Sequence, residues 1–408
     1  MEIEVIRELE QLAPLQAAWN RAVESSGFDS IFLSYEWFYA WARNFAPAGS
    51  LCVVIAREAD AIRGIMPLLR ERRRIGPWTQ SVLRSMSNAH TCKYSPVLPK
   101  EGGSDVLEAM LGHLSRHGGW DLMELTHLPA SSDSIPFIKR ACGKVAFGMR
   151  DEIQMESPYV EIAGTWEDYL GARNGKVRKN WDYFERRMQK EGSVDLIEIA
   201  GGAGAEQAVI EAFEIEESSW KGAAGSAINR TSAAASFYLD LARAMGARDN
   251  FRLYFLSLNG ARIAFDYCLP YRETFNVLKT GYNPAYAKNS PGRVLRKSVL
   301  RGLFHKGSHR TYDLLGARDA WKEEWTQTAQ PLLRVRLYNR TPVAMARYAA
   351  GTFVDRSRET LRRHPALHAA AKRVWVGMKG LVHRPVPKPG AVGSRSQPES
   401  RSSPEDGQ

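Results

Sequence analysis

The chain has 408 residues, 44% of them hydrophobic, and a formal net charge of +11. This length predicts about two domains, and the apolar fraction excludes a wholly disordered chain. No run of 18 apolar residues occurs, which excludes a membrane-spanning helix. The four cysteines lie far apart and the nine histidines form no HxH or HExxH motif, so no metal site is expected.

The positive charge is concentrated near the carboxyl end. Residues 336–384 hold eleven Lys and Arg against Asp355 and Glu359, a net of +9. Residues 1–335 carry a net of +2. A nearly neutral body is not typical of nucleic-acid-binding proteins, so no nucleic-acid partner is expected.

The first unit is predicted to span residues 1–157. It opens with MEIEVIRELEQL, which is acidic and has no apolar stretch, so a cytoplasmic location is expected. After an aromatic-rich helical segment, LCVVIA and AIRGIMPLL predict a hairpin. The same hydrophobic plan returns about two hundred residues later, which indicates a tandem pair of related α/β domains. Ser157-Pro158 is the predicted boundary.

The second unit is predicted to span residues 158–338. Its helix KVRKNWDYFERRMQKEG places Val177, Trp181, Phe184 and Met188 on one apolar face. Arg178 and Lys179 lie elsewhere on that helix. They are either part of a solvated surface or contacts to an anionic acyl donor or sugar phosphate.

Residues 251–325 carry the strongest local signals. Asn259-Gly260 separates two apolar runs and predicts a type I′ hairpin turn, and a third strand follows at residues 274–280. The next loop ends in Pro291-Gly292 at the start of a helix, where free amide groups and the helix dipole favour an anion. Asp266 interrupts an apolar strand. A carboxylate buried there requires a charged or hydrogen-bonding partner or a catalytic role, and the alternative is that Asp266 faces solvent.

These segments resemble one known family. LNGARIAFDYCL, LKTGYNPAYAKNSPGRVL, YDLLGARDAWKEEW and VRKNWDYFERRMQKEG are similar to the GNAT acyltransferases. The branch they resemble is the CelD-like acetyltransferases of cellulose and exopolysaccharide biosynthesis. The resemblance covers roughly residues 1–335. It implies an α/β fold of two tandem GNAT-like domains, each with a mixed, mostly antiparallel sheet flanked by helices.

The resemblance also implies a site. The donor pyrophosphate of acetyl-CoA or another acyl-CoA is expected at Asn289, Ser290, Pro291, Gly292 and Arg293, although one glycine after Lys288 departs from the usual family pattern. The candidates for proton transfer are Asp266, Tyr282, Tyr286 and Asp313, since a phenol at a strand exit can protonate a thiolate. Proton transfer is assigned to Asp266, Tyr282 and Asp313. His90, Lys322 and Trp325 are expected in the substrate-binding site, with His90 in contact with substrate and Lys322 and Trp325 shaping the site.

The expected acceptor is an amino- or hydroxyl-bearing sugar or another envelope or exopolysaccharide precursor, a class that the resemblance alone supplies. A Fem-type peptidyltransferase, which takes aminoacyl-tRNA, is one alternative. A non-catalytic accessory of a polysaccharide synthase is another, because the glycine pattern of the donor loop is degenerate.

The last part of the chain is predicted to be an appendage. LLRVRLY is expected to close the sheet of the second unit. Residues 339–383 predict a basic helical extension with an amphipathic stretch over Leu367–Leu381, which either packs on the body or contacts anionic membrane. Residues 384–408 are rich in Pro, Ser and Gly and are expected to be disordered.

Overall fold

A computed structural model describes residues 1–76, 78–117, 119–217 and 232–363. Met1–Tyr348 form one compact unit and Ala349–Gln408 a second. The strands of the first unit are β1 (Glu2–Ile6), β2 (Leu51–Glu58), β3 (Ala61–Ile75), β4 (Trp78–Ser85), β5 (Leu122–Pro129), β6 (Gly148–Glu161), β7 (Val194–Ala200), β8 (Arg252–Leu258), β9 (Ala261–Tyr271), β10 (Thr274–Tyr282), β11 (Thr311–Asp313) and β12 (Ala329–Tyr338).

The helices in the described ranges flank this sheet or follow it. They are α1 (Gln16–Glu24), α2 (Tyr35–Phe45), α3 (Gly103–His117), α4 (Ser134–Val145), α5 (Trp166–Gly171), α6 (Gly175–Glu191), α7 (Ala205–Glu217), α8 (Ala233–Gly246), α9 (Pro291–Lys306), α10 (Ala320–Glu323) and α11 (Pro342–Arg363). None of the helices in the described ranges is long and apolar enough to cross a bilayer.

The twelve strands form one continuous sheet in the order β1-β2-β3-β4-β5-β12-β6-β11-β10-β9-β8-β7. Two stretches repeat the same plan: β2-β3-β4-α3-β5 and β8-β9-β10-α9-β11. In each, three antiparallel strands and a helix lead to a strand that runs parallel to the third. The predicted tandem plan and the mixed, mostly antiparallel sheet are therefore present. The predicted boundary at Ser157-Pro158 lies inside β6, and that division remains a prediction.

The position of β12 differs from the prediction that LLRVRLY closes the second sheet. β12 pairs antiparallel with β5 on one side and with β6 on the other, so it lies in the interior of the sheet. Val335 and Leu337 are fully buried against α3 and α4. Alternating apolar residues in this strand predict a strand but carry no information on which neighbours it selects.

Helices cover both faces of the sheet because successive strand residues point to opposite sides. On β9, Phe265 and Tyr267 join a core formed with α1, α2, α7 and α8. Ala264 and Cys268 join a core formed with α5, α6 and α9 on the other face. The helices α3 and α4 cover the first-half strands in a separate core. The face that carries α9 is the one on which the candidate site lies.

Candidate functional site

The candidate site lies where β10 and β11 separate. These parallel strands pair over three residues, from Thr274 opposite Thr311 to Asn276 opposite Asp313. β10 then continues to Tyr282, and a bulge between Val277 and Lys279 shifts its register against β9. Among the described strands, none pairs with this last part of β10 on the β11 side. The sheet is therefore open at this point.

The equivalent position in the first half is closed. β4 and β5 also pair over three residues, ending at Arg84 opposite Glu124. Beyond that pair, the Thr126 hydroxyl lies 3.1 Å from the Ser85 hydroxyl and 2.7 Å from the Ser87 hydroxyl. These side chains hydrogen-bond across the position where β4 and β5 would diverge. The two halves share a topology, and this contrast favours the second half as the reactive one.

A cavity of about 630 Å³ occupies the opening beside β10. Its walls come from the end of β10, the first turn of α9 and the segment from Asp319 to Trp325. The residues that line it include Thr280, Tyr282, Gly292, Arg296, Trp321 and Lys322. Three separate parts of the sequence therefore converge on one concave site, of a size typical of small-molecule pockets.

The first turn of α9 faces this cavity and has the chemistry of an anion site. Ser290 adopts a left-handed conformation with φ of 46°, and Pro291 begins the helix without an N–H. The N–H groups of Arg293 and Val294 donate to the Ser290 carbonyl. The Gly292 N–H has no partner among the described residues. A Cβ atom at Gly292 would have only the Tyr282 ring nearby, at 4.0 Å, and Gly292 lines the cavity, so there is open space beside this residue.

Arg293 is already engaged at this helix start. Its guanidinium forms two 2.8 Å hydrogen bonds with the Glu324 carboxylate and a third with the Ser290 hydroxyl. Asn289 is buried and donates to the Glu191 carboxylate at 2.6 Å. Of the five residues predicted to bind pyrophosphate, Gly292 alone has an N–H without a partner among the described residues. The Gly292 N–H and the positive end of the α9 dipole are therefore the groups at this helix start that can bind an anion.

Asp266 is fully buried on β9 and points toward α9, so the solvent-facing alternative is wrong. Its Oδ1 accepts a 3.2 Å hydrogen bond from Arg296, whereas its Oδ2 has no partner among the described residues. Burial raises the pKa of Asp266 to about 6, and the Arg296 charge opposes that rise. Asp266 does not line the cavity; Arg296 does, with its guanidinium 4.4 Å from the centre of the Trp321 ring. The Asp266 carboxylate therefore does not contact the cavity itself; it holds Arg296, which does.

Asp313 lies at the end of β11 and is nearly fully buried. Its Oδ2 accepts a 2.6 Å hydrogen bond from the Lys93 ammonium. Its Oδ1 accepts from the Leu315 N–H, at a residue with positive φ. The Lys93 loop belongs to the first half of the chain, so this buried ion pair ties the two halves together beside the opening in the sheet.

Lys322 and Trp325 hold the wall of the cavity. The Lys322 ammonium donates to the carbonyls of Leu315 and Ala317, at 2.6 and 2.7 Å, and burial lowers the pKa of Lys322. Trp325 is fully buried and stacks on Trp181 of α6, with ring centres 4.1 Å apart. Both residues fix the loop that follows β11, which supports the expected role in shaping the site.

The remaining predicted residues divide between three places. Tyr282 lines the cavity. His90 is half-buried beside the core on the opposite face of the sheet, where its ring stacks on Phe45 at 5.4 Å and hydrogen-bonds with the Tyr238 hydroxyl. Burial lowers the pKa of His90. Arg178 and Lys179 are exposed on α6 and do not line the cavity. The structure thus brings Tyr282, Gly292 and Lys322 together but not these other three.

Sequence reasoning missed Arg296, Trp321 and Glu324. One signal for Arg296 was available, because Arg296 and Lys297 lie between Leu295 and Val299 in the part of α9 that is richest in apolar residues, and both are buried. Buried cations require carboxylate partners. Asp266 supplies one for Arg296, and Asp182 and Glu185 supply two for Lys297.

Residues 175–323 match the family model described as Acetyltransferase (GNAT) domain. The structure of FemX is similar over 85% of this chain and 99% of that chain, at 9% identity and a TM-score of 0.56. The C-terminal domain of a putative lysylphosphatidylglycerol synthetase from Agrobacterium fabrum is similar over 83% and 96%, at 12% identity and a TM-score of 0.50. A tandem GNAT protein from the clavulanic acid pathway is similar over 83% and 100%, at 12% identity and 0.42. No curated protein matches.

The matched domain contains the separation of β10 from β11, the first turn of α9 and most of the cavity wall. The likeness to FemX extends over both halves of the chain and concerns the fold alone. The fold class predicted from the sequence, two tandem GNAT-like units with a mixed, mostly antiparallel sheet, is confirmed.

Proposed function

We propose that this protein is a GNAT-type acyltransferase of the CelD-like branch. It transfers an acyl group from acetyl-CoA or another acyl-CoA to an amine or hydroxyl of a sugar or another envelope or exopolysaccharide precursor. The observation that carries the proposal is the cavity at the gap between β10 and β11, which has the Gly292 N–H at one end. The acceptor class rests on the sequence resemblance.

Each element of the cavity has a task in this reaction. The Gly292 N–H and the dipole of α9 bind a phosphate of the donor. The end of β10 lies beside the thioester, where a backbone N–H of this strand can stabilise the developing oxyanion. The acceptor nitrogen or oxygen attacks the thioester carbon, the carbon–sulfur bond breaks, and the Tyr282 phenol protonates the departing thiolate. The proton that the acceptor loses passes through water to the resulting Tyr282 phenolate and restores the phenol.

The buried carboxylates act through their partners in this proposal. Asp266 fixes the Arg296 guanidinium in the cavity wall, and Asp313 fixes Lys93 at the opposite face. Arg178 and Lys179 contact parts of an anionic substrate that extend beyond the cavity. His90 serves an acceptor that approaches from the other face of the sheet, while Lys322 and Trp325 shape the wall.

Calorimetry with acetyl-CoA, followed by mass spectrometry of candidate sugar acceptors, tests this function. The expected result is saturable binding of acetyl-CoA and a mass increase of one acetyl group on an amino- or hydroxyl-bearing sugar. Absence of binding to acetyl-CoA and longer acyl-CoA species would exclude this donor class and select a non-catalytic accessory role.

A Fem-type peptidyltransferase that takes aminoacyl-tRNA is the second candidate. The specific observation in its favour is that the start of α9 offers few groups that can bind a pyrophosphate. The Arg293 charge is neutralised by Glu324. Among the five residues predicted to bind pyrophosphate, Gly292 alone has an N–H without a partner in the described residues. The similarity to FemX supports the same candidate. Salt-sensitive binding of aminoacyl-tRNA, together with no response to acyl-CoA, would select it.

We also propose a cytoplasmic location with peripheral contact to anionic membrane through residues 339–383. Helix α11 is described as far as Arg363, and the amphipathic stretch Leu367–Leu381 lies outside the described residues. A fragment to test this should end after Tyr348, because Ala344 is fully buried in a cluster with Val82 and Tyr338, and Tyr348 packs against it. Loss of anionic-vesicle binding in a folded fragment would support the anchor, and unchanged binding would remove it.

A further inference from the structure

The outward face of α6 carries a straight basic stripe. Trp181 and Met188 are buried on the inward face of this helix. On the opposite side, four cations and one tyrosine follow each other at spacings of three or four residues. They are Lys176, Lys179, Tyr183, Arg186 and Lys190, and all five are exposed. This set is called the α6 stripe below.

The charges of the α6 stripe have no ion-pair partner among the described residues. The carboxylates of α6 are committed elsewhere: Asp182 and Glu185 bind Lys297, and Glu191 faces Arg187. The stripe places like charges three residues apart at its start and four residues apart at its end. Such pairs destabilise a helix by a few tenths of a kcal/mol each. A solvated helix normally avoids this cost by interspersing both signs of charge.

We propose that the α6 stripe docks the protein on the surface of a bilayer that contains anionic lipid. The four cations extend along about 21 Å of helix, which matches a flat surface. Clusters of four or more cations on an amphipathic helix are typical of binding to anionic lipid. Tyr183, half exposed in the middle of the stripe, belongs to the residue types enriched at membrane interfaces.

A bilayer fits the α6 stripe better than nucleic acid does. Single strands are bound in basic grooves with several aromatic platforms, whereas this surface is a convex ridge with one tyrosine. The body of the chain also lacks the broad positive field of nucleic-acid-binding proteins, since residues 1–335 carry a net of +2.

Docking through α6 would fix the orientation of the cavity. α6 is tied to α9 by the Lys297 ion pairs, and the Arg293 guanidinium lies 5.1 Å from the centre of the Phe184 ring. The anion site at the start of α9 is therefore held rigidly relative to the stripe. This inference concerns location. Lys179 is shared with the proposed substrate contacts, whereas Lys176, Arg186 and Lys190 are not, so the inference does not depend on the acyl-transfer proposal.

The test uses the full-length chain and flotation with vesicles of phosphatidylcholine containing about 30% phosphatidylglycerol. The stripe variant carries Lys176→Gln, Lys179→Gln, Arg186→Gln and Lys190→Gln. Each cation near an anionic surface contributes up to about fivefold, so loss of four can weaken partitioning by at most about 600-fold. About thirtyfold is expected if each cation contributes half of its maximal free energy. A matched control removes four exposed cations that are also unpaired among the described residues: Arg7→Gln, Arg21→Gln, Lys100→Gln and Arg140→Gln. The control should lose less than about threefold.

Three outcomes would overturn the proposal. The first is a stripe variant that partitions like the wild type, which would assign any vesicle binding to the C-terminal segment. The second is equal loss in both variants, which would indicate a nonspecific effect of net charge. The third is no vesicle binding together with stripe-dependent retention of single-stranded RNA in a gel. Matching circular-dichroism melting curves for the wild type, the stripe variant and the control exclude misfolding. A separate Tyr183→Ser variant should partition onto the vesicles several-fold more weakly than the wild type.

Discussion

Gly292 allows the donor site to be tested with little disturbance of the fold. A Cβ atom at this position would have only the Tyr282 ring nearby, at 4.0 Å, and the residue lies in the first turn of α9. An aspartate there interacts favourably with the helix dipole, by about 0.3–1 kcal/mol. Gly292→Asp should therefore fold normally, with a melting temperature equal to or slightly above that of the wild type.

The same substitution should repel the phosphates of an acyl-CoA. A carboxylate about 6 Å from one phosphate charge costs roughly 0.7 kcal/mol at the dielectric constant of water. Two phosphate charges double this to about 1.4 kcal/mol, which is a tenfold loss of affinity. Partial exclusion of water from the cavity would increase the effect, so tenfold is a lower bound.

Calorimetric titration of full-length variants with acetyl-CoA at about 0.1 M salt measures this difference. Gly292→Asn is the matched control, because it has the shape of aspartate without the charge, and it should bind within about threefold of Gly292→Ala. The gap between the aspartate and asparagine variants should narrow at about 1 M salt as screening increases. Equal affinities of these two variants at low salt would show that the start of α9 does not bind the donor.

Four further outcomes are expected. Asp266→Asn should lower turnover by about 10² with little change in the Kd for acyl-CoA, because the carboxylate orients a cavity cation; steady-state kinetics at the wild-type rate would contradict this. Since burial raises the pKa of Asp266 to about 6, its contribution to the free energy of unfolding is present below about pH 4 and is lost as the pH rises through 6. This loss amounts to roughly 2–3 kcal/mol, and urea unfolding of Asp266→Asn should lack it. Lys93→Met should cost about 3–5 kcal/mol by leaving Asp313 buried and unpaired, and a double variant that also replaces Asp313 with leucine should recover part of that loss. Trp181→Ala should cost about 3–5 kcal/mol through loss of the stack on Trp325, and a change below 1 kcal/mol in urea unfolding would refute this.

Local features of the fold were predictable because they depend on neighbouring residues. Asn259 and Gly260 have φ of 52° and 82°, as the predicted type I′ turn requires. The strand predicted at 274–280 ends two residues later, at Tyr282. The apolar face of α6 is buried at Trp181 and Met188, with Val177 and Phe184 packed beside them. In each case the pattern and the physical cause lie within one element.

The elements that form the site were predictable from the sequence, but the contacts between its side chains were not. The helix start at Pro291-Gly292 and the burial of Asp266 followed from local chemistry. The partner of Asp266 is Arg296, thirty residues away, and that of Asp313 is Lys93, which lies in the other half of the chain. Such pairs form only after the sheet brings distant segments together, and no periodicity in the sequence encodes them. The engagement of Arg293 with Glu324 was missed for the same reason.

The interior position of β12 constrains how the chain folds during synthesis. Its partners on β5 precede it by about two hundred residues, from Leu332 opposite Pro129 to Tyr338 opposite Leu122. Until β12 leaves the ribosome, β5 and β6 lack the strand that joins them and expose two unpaired edges, which are prone to aggregation. Contacts this distant in sequence also slow folding, because loop closure precedes the gain from pairing. The sheet of the first half is therefore incomplete until β12 pairs with β5 and β6.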